Sequence, residues 1–119
     1  MQILDSLFGA RAENLTRALK RTSDRHGLIT NNIANVNTPG YKRQDVEFGI
    51  ALQGEEDRLQ RKGPSAIVNS GGSQRLDGNS VNMEQEMGAL AMTEFRYQLL
   101  TDMTGKYFAG LKNVIREGR

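Results

Sequence analysis

A chain of 119 residues has room for one small domain, but 37% hydrophobic and 6% aromatic content is lean for a core of that size, so partner surfaces are expected to complete it. Sixteen Lys and Arg against fourteen Asp and Glu leave a formal net charge of +2, which gives no field strong enough to indicate a polyanionic partner. The absence of cysteine excludes disulfides, thiolate metal sites and cysteine nucleophiles.

Residues 1–11 lack a basic n-region and an unbroken apolar run, so they do not read as a Sec signal peptide, and no stretch of the chain reaches transmembrane length. From about residue 5 to 36 the apolar side chains follow a heptad, with Ala12, Leu19 and Ile33 in one register and Phe8, Leu15, Ile29 and Val36 in the other. Thr22 and His26 fall on the same seam, and Gly27 beside them costs about 1 kcal/mol relative to alanine. Seven seam side chains at about 1.5–3 kcal/mol each cannot offset about 1–2 kcal/mol of backbone entropy per residue over such a length. The segment is therefore expected to be disordered or partly helical in a free monomer and to order against a second helix.

Residues 37–53 read as a turn and an extended segment. Asn31, Asn32, Asn35 and Asn37 precede Thr38-Pro39-Gly40-Tyr41, a sequence suited to a type II turn with Pro39 and Gly40 at its centre. An ordinary helix end accounts for Asn37 to Gly40. It does not account for Asn31, Asn32 and Asn35, whose amides, if buried, need partners from a strand or a neighbouring chain. Val46 and Phe48 alternate as in a short strand, and Phe48-Gly49-Ile50-Ala51-Leu52 is a small apolar cluster. Residues 54–79 are polar and glycine-bearing and read as a flexible connector with one short extended piece at Ala66-Ile67-Val68.

A second helix is expected over about residues 82–116. Asn82 can cap it, Gln85 sits three residues on, and Glu84 and Glu86 suit the positive end of the dipole. Met83, Met87, Leu90, Tyr97, Phe108, Leu111 and Ile115 form one apolar stripe, widened by Phe95, Leu99, Leu100, Met103, Tyr107 and Val114. A helix apolar around so much of its circumference is expected to pack among several neighbours. The fold class is mainly α: two long terminal helices forming a coiled-coil-like pair, joined by a turn, a short extended segment and a flexible polar connector, as one domain over 1–119. Leu15, Leu19, Ile29, Val36, Met87, Leu90, Tyr97, Phe108 and Leu111 are the expected helix-packing residues.

No catalytic, cofactor or metal site is expected, and the chain does not read as an enzyme. His26 and Asp24 are two residues apart and so on different helix faces. Met83, Met87, Met92 and Met103 have no histidine with them and suit packing rather than copper or haem. Glu55, Glu56 and Asp57 lie beside Arg58, Arg61 and Lys62 in a solvated loop. A competing reading is a small helical nucleic-acid-binding module that uses Arg17, Lys20, Arg21 and Arg25. Glu13 and Asp24 dilute that face, and no aromatic side chains interleave for stacking.

Asn32-Ile33-Ala34-Asn35-Val36-Asn37-Thr38-Pro39-Gly40-Tyr41 resembles, without a gap, the N-terminal signature of the bacterial flagellar axial proteins, the rod, hook and hook-associated components. Asp45-Val46-Glu47-Phe48, and Asp77-Gly78-Asn79-Ser80-Val81-Asn82-Met83-Glu84 leading into a helix with Arg96-Tyr97-Gln98, resemble the proximal rod members. Asn82 stands where that pattern often has aspartate, a change that keeps the cap. FlgC, one of the proximal rod proteins, resembles the chain less at the C-terminal helix.

The resemblance implies a structural subunit whose terminal helices form concentric layers of a helical tube that transmits motor torque through the periplasm. Asn32, Ile33, Asn35, Asn37, Thr38, Pro39, Gly40 and Tyr41 would make subunit contacts. It implies homo- and hetero-oligomeric assembly with the rod proteins FlgC and FlgF, the rod-base adaptor FliE and the MS-ring protein FliF, with no nucleic acid and no direct membrane insertion. Export would run through the flagellar type III apparatus, and Phe48 with Leu52 resembles the element that engages its gate. Simple packing of Phe48 and Leu52 explains those two residues equally well.

Overall fold

The computed structural model describes residues 9–46, 67–69 and 75–118. Helix α1 spans Ala10–Ala34, strand β1 Gln44–Val46, strand β2 Ile67–Asn69 and helix α2 Met83–Glu117. The strands pair antiparallel, with Gln44 opposite Asn69, Asp45 opposite Val68 and Val46 opposite Ile67.

The helices form an antiparallel hairpin. Asn32 near the end of α1 meets Glu86 near the start of α2, and one turn and more further along His26 faces Glu94 at 3.8 Å. On α1 the covered line is Leu15, Thr22 and Ile29, which the heptad predicts, flanked by Leu19, also predicted, and by Ala18 and Asn32, which are not, while His26 on the predicted seam is exposed. On α2 it is Glu86, Thr93 and Leu100, flanked by Leu90, Thr104, Tyr107 and Leu111. The threonines at the seam do not leave unpaired hydroxyls: Thr22 donates to Ala18 O at 2.8 Å, Thr93 to Ala89 O at 2.7 Å and Thr104 to Leu100 O at 2.7 Å. Their small size allows close approach, but they bury little apolar area. The fully buried hydrophobic set among the described residues is short: Leu28, Ile29, Val46 and Val81.

This seam is rotated from the one the α2 stripe suggests. Met83, Met87, Tyr97, Phe108 and Ile115 are 41%, 53%, 46%, 54% and 70% exposed, whereas Leu90 and Leu111 are half-buried. The reason is local. Glu86 is drawn inward by polar partners near the start of α2, and the residues at its heptad repeats, Thr93, Leu100 and Tyr107, follow it towards α1.

Helix ends follow capping chemistry. Asn82 Oδ1 accepts from the N–H groups of Glu84 at 3.0 Å and Gln85 at 3.4 Å, and α2 closes where Gly118 N–H reaches Val114 O. Helix α1 stops at Ala34, two residues before the predicted end, with Asn35 as its cap and 35–37 already in the turn. Residues 5–8 of the predicted helix, Phe8 included, lie outside the described residues. So does most of the predicted connector. Its last residues, 75–79, are not a loose linker but a hydrogen-bonded turn, with Gly78 N–H on Arg75 O and Arg75 N–H on Asn79 O. No described helix is long and apolar enough to cross a membrane.

Candidate assembly junction

The end of α1, the turn, β1 and the start of α2 converge on a polar junction, and Asn32 is at its centre. Its side chain is 0% exposed and uses both ends of its amide. Nδ2 donates to Gln44 O at 2.7 Å and to Glu86 Oε2 at 3.2 Å. Oδ1 accepts from Gln44 N–H at 3.1 Å and from the Tyr41 hydroxyl at 3.2 Å. The amide thus pairs with the backbone of Gln44 as a neighbouring strand would, fixing β1 against α1. A partner strand was one of the two sources predicted for these amides, and it comes from the same chain.

Four charged side chains extend the junction. Glu86, also 0% exposed, pairs with Arg43 Nε; Arg43 Nη2 reaches Asp45 Oδ2 at 3.2 Å; and Arg25 grips Asp45 with Nε at 3.0 Å and Nη2 at 3.2 Å. The set runs from α1 through β1 to α2, with two cations matched by two anions. Burial alone would raise the pKa of Asp45, but the Arg25 and Val46 N–H hydrogen bonds and the charges of Arg25 and Arg43 outweigh it and hold the carboxyl below its ordinary value. Burial would likewise lower the pKa of Arg43, and the bond and charge of Glu86, aided by Asp45, raise it instead. No buried side-chain N or O among the described residues is left without a partner.

The turn itself is held by a second asparagine. Asn79 is 0% exposed and its Nδ2 lies 3.1, 2.8 and 2.8 Å from the carbonyl oxygens of Asn35, Val36 and Thr38, while its Oδ1 accepts from Val81 N–H at 2.8 Å. Tyr41 N–H reaches Thr38 O at 3.3 Å around Pro39 and Gly40, and Gly40 has φ +74°, the left-handed value a type II turn demands. Gly78, at φ +79°, sits opposite; a Cβ there would lie in ordinary contact with Gly40 Cα at 3.4 Å, so the left-handed backbone rather than lack of space favours glycine at both positions. Gly40 N–H bonds Asp77 O, Ser80 N–H bonds Tyr41 O, and Arg43 N–H bonds Ser80 Oγ, which ties the two segments side by side.

Of the signature residues, Asn32 is buried, Ile33, Asn35 and Tyr41 are half-buried, and Asn37, Thr38, Pro39 and Gly40 are exposed. Asn35 acts locally, donating to Asn31 O at 2.8 Å and accepting from the Thr38 hydroxyl. Of the expected packing residues, Ile29 is fully buried, Leu15, Leu19, Val36, Leu90 and Leu111 are half-buried, and Met87, Tyr97 and Phe108 face outward. Phe48 and Leu52 lie outside the described residues. Arg25, read from sequence as part of a solvated basic face, turns in to Asp45, which removes it from a phosphate-tracking surface.

Sequence reasoning missed Arg25, Arg43, Asp45, Asn79 and Glu86 as site residues. One signal was available: Arg43 and Asp45 stand two apart in an extended segment and so share a face.

A hairpin closed by a polar turn, with apolar side chains left outward, is a form suited to a subunit that packs against neighbours. The family described as flagella basal body rod protein matches residues 13–42, the stretch that runs along α1 through Asn32 and the turn. Relatives extend the likeness over nearly the whole chain. The flagellar basal body rod protein FlgB of Bacillus subtilis (strain 168) is 33% identical, over 96% of this chain and 99% of its own length. FlgB of Cereibacter sphaeroides (strain ATCC 17029 / ATH 2.4.9) is 32% identical over 84% and 89%, and FlgB of Salmonella typhimurium (strain LT2) 27% over 85% and 89%. The chain belongs to the FlgB family of flagellar basal body rod proteins.

Proposed function

We propose that this structural rod subunit of the flagellar basal body occupies the proximal rod and helps form a helical drive shaft that carries motor torque across the periplasm. The observation that carries the reading is the outward apolar surface of α2: Met87, Met92, Phe95, Leu99, Phe108 and Ile115 are each at least half exposed. A lone hairpin has no use for that surface, and a helical polymer does, because contacts between unlike faces repeat without closing. Its neighbours in this reading are FlgC and FlgF along the rod and FliE and FliF beneath it. The chain reaches the periplasm through the type III export gate, with Phe48 and Leu52 as the candidate gate element. Within the subunit the signature contributes chiefly by folding: Asn32 and the Thr38-to-Tyr41 turn hold β1 and both helices together, Asn35 closes the end of α1 locally, and the exposed Asn37, Thr38 and Pro39 are left for neighbours.

Deleting the gene and complementing it tests the proposal. The deletion should leave basal bodies with a membrane ring but no rod, and the intact gene should restore rods and swimming, with the chain recovered in purified basal bodies. Complete rods in the deletion strain would overturn it.

A further inference from the structure

Sulfur is confined to one surface of this subunit. The chain has five methionines and no cysteine, and the four described methionines, Met83, Met87, Met92 and Met103, all lie on α2. They are 41%, 53%, 61% and 50% exposed, and none of the buried residues of the seam or the polar junction is a methionine. At about 100° of turn per residue, Met83 and Met87 share one flank of the seam line through Glu86, Thr93 and Leu100, and Met92 and Met103 share the other. An agent that alters only thioethers therefore changes both flanks and leaves the described interior as it is.

Exposed methionine is oxidised to the sulfoxide, which turns a flexible apolar side chain into a polar one, and methionine sulfoxide reductases reverse the change. With hydrogen peroxide as oxidant, a lone pair on sulfur forms the S–O bond as the O–O bond breaks. Sulfur gives up two electrons, and the second oxygen takes the proton of the transferred one and leaves as water. The new oxygen accepts hydrogen bonds, so covering it with apolar surface strips its water without supplying a donor.

We propose that Met83, Met87, Met92 and Met103 form a reversible oxidation site that governs assembly: peroxide acting on the unassembled subunit blocks its docking while the hairpin keeps its fold. The proposal rests on the rod reading and adds a chemical control to it. The fold is spared because Thr22, Ile29, Thr93 and Leu100 of the seam and the Asn32–Glu86–Arg43 set contain no sulfur. Docking is not spared, because losing the burial of one methionine side chain corresponds to about tenfold or more in a binding equilibrium.

Three measurements test this. Hydrogen peroxide is added to the purified chain at a dose that oxidises free methionine, and peptide mass spectrometry should find one added oxygen on each of the four residues. The urea midpoint of the oxidised chain should stay within about 0.3 M of the untreated one. Rods are then counted in a deletion strain that also lacks methionine sulfoxide reductases, with the gene induced in the presence or absence of peroxide. Peroxide should lower the count at least fivefold for the unmodified chain and less than twofold for the variant with leucine at all four positions, each compared with its own untreated culture. Met92→Gln with Met103→Gln, which sets polar groups on one flank, gives a reading without oxidant: rods should fall at least fivefold while the urea midpoint is kept. Unoxidised methionines, a larger midpoint shift, equal fractional losses with methionine and leucine, or a glutamine pair that builds rods at the unmodified number would each overturn the proposal. Absence of the unmodified chain from untreated rods would remove the rod reading and this one together, whereas the other failures remove this one alone.

Discussion

Replacing Glu86 by alanine should be among the most damaging single changes in this chain. The carboxylate is fully buried and joins Arg43 to Asn32, and Asp45, which also pairs with Arg43, is shared with Arg25. Removing Glu86 takes a fully buried anion away from Arg43, whose side chain is only 16% exposed to water. Breaking such a pair from one side costs about 3–5 kcal/mol, and with a urea dependence of about 1–3 kcal/mol per M the unfolding midpoint should fall by about 1 M or more. Glu86→Gln keeps an acceptor for Arg43 but loses the charge, at about 1.5–3 kcal/mol. Urea titrations followed by helix circular dichroism at neutral pH measure both. Combining Glu86→Ala with Arg43→Met removes the stranded charge, so the double variant should recover at least about 1 kcal/mol relative to the sum of the two singles. A loss below about 0.5 kcal/mol for Glu86→Ala, or strict additivity with Arg43→Met, would refute the role given to this pair.

Asn32→Asp should destabilise more than Asn32→Ala in the same titration, because a carboxylate cannot donate to Gln44 O and lies against Glu86. Gly40→Val should cost at least about 1–2 kcal/mol through its left-handed backbone, and should abolish swimming in the complemented strain. Acid should weaken the fold in part through Asp45. Its pKa is depressed below the ordinary 3.8, so its contribution is complete above that value and is lost as pH falls through the folded-state pKa. Asp45→Asn should flatten this part of a stability-against-pH curve, and an unchanged slope would contradict it. Asn79→Ala leaves the Asn35, Val36 and Thr38 carbonyls short of a donor and should cost about 1–3 kcal/mol, read as faster proteolysis at the turn.

The two helices were legible because their periodicity is long and their caps are chemically explicit, as at Asn82. The turn was legible because Pro39 and Gly40 admit few alternatives. The rotation of α2 was not, because its sequence is apolar on several sides and only the pull on Glu86, through Arg43 and Asn32, selects the side that faces α1. Glu86 itself looked like a first-turn carboxylate serving the helix dipole, which is the commoner use of that position. Asn79 was hidden for a related reason: an Asp-Gly-Asn run reads as a loop, and what makes Asn79 structural is a set of carbonyls more than forty residues earlier. Long-range polar partners leave no periodic trace in a single sequence, whereas the local turn and cap signals do.

The central claim is that the Asn32–Glu86–Arg43 junction holds the hairpin in the form that builds the rod. The most direct measurement is an electron-microscopic count of rods on basal bodies from a deletion strain that makes only the Asn32→Ala, Arg43→Met double variant. The expected result is rings bearing no rods while the variant is still expressed. Rods at the number seen with the unmodified chain would contradict it.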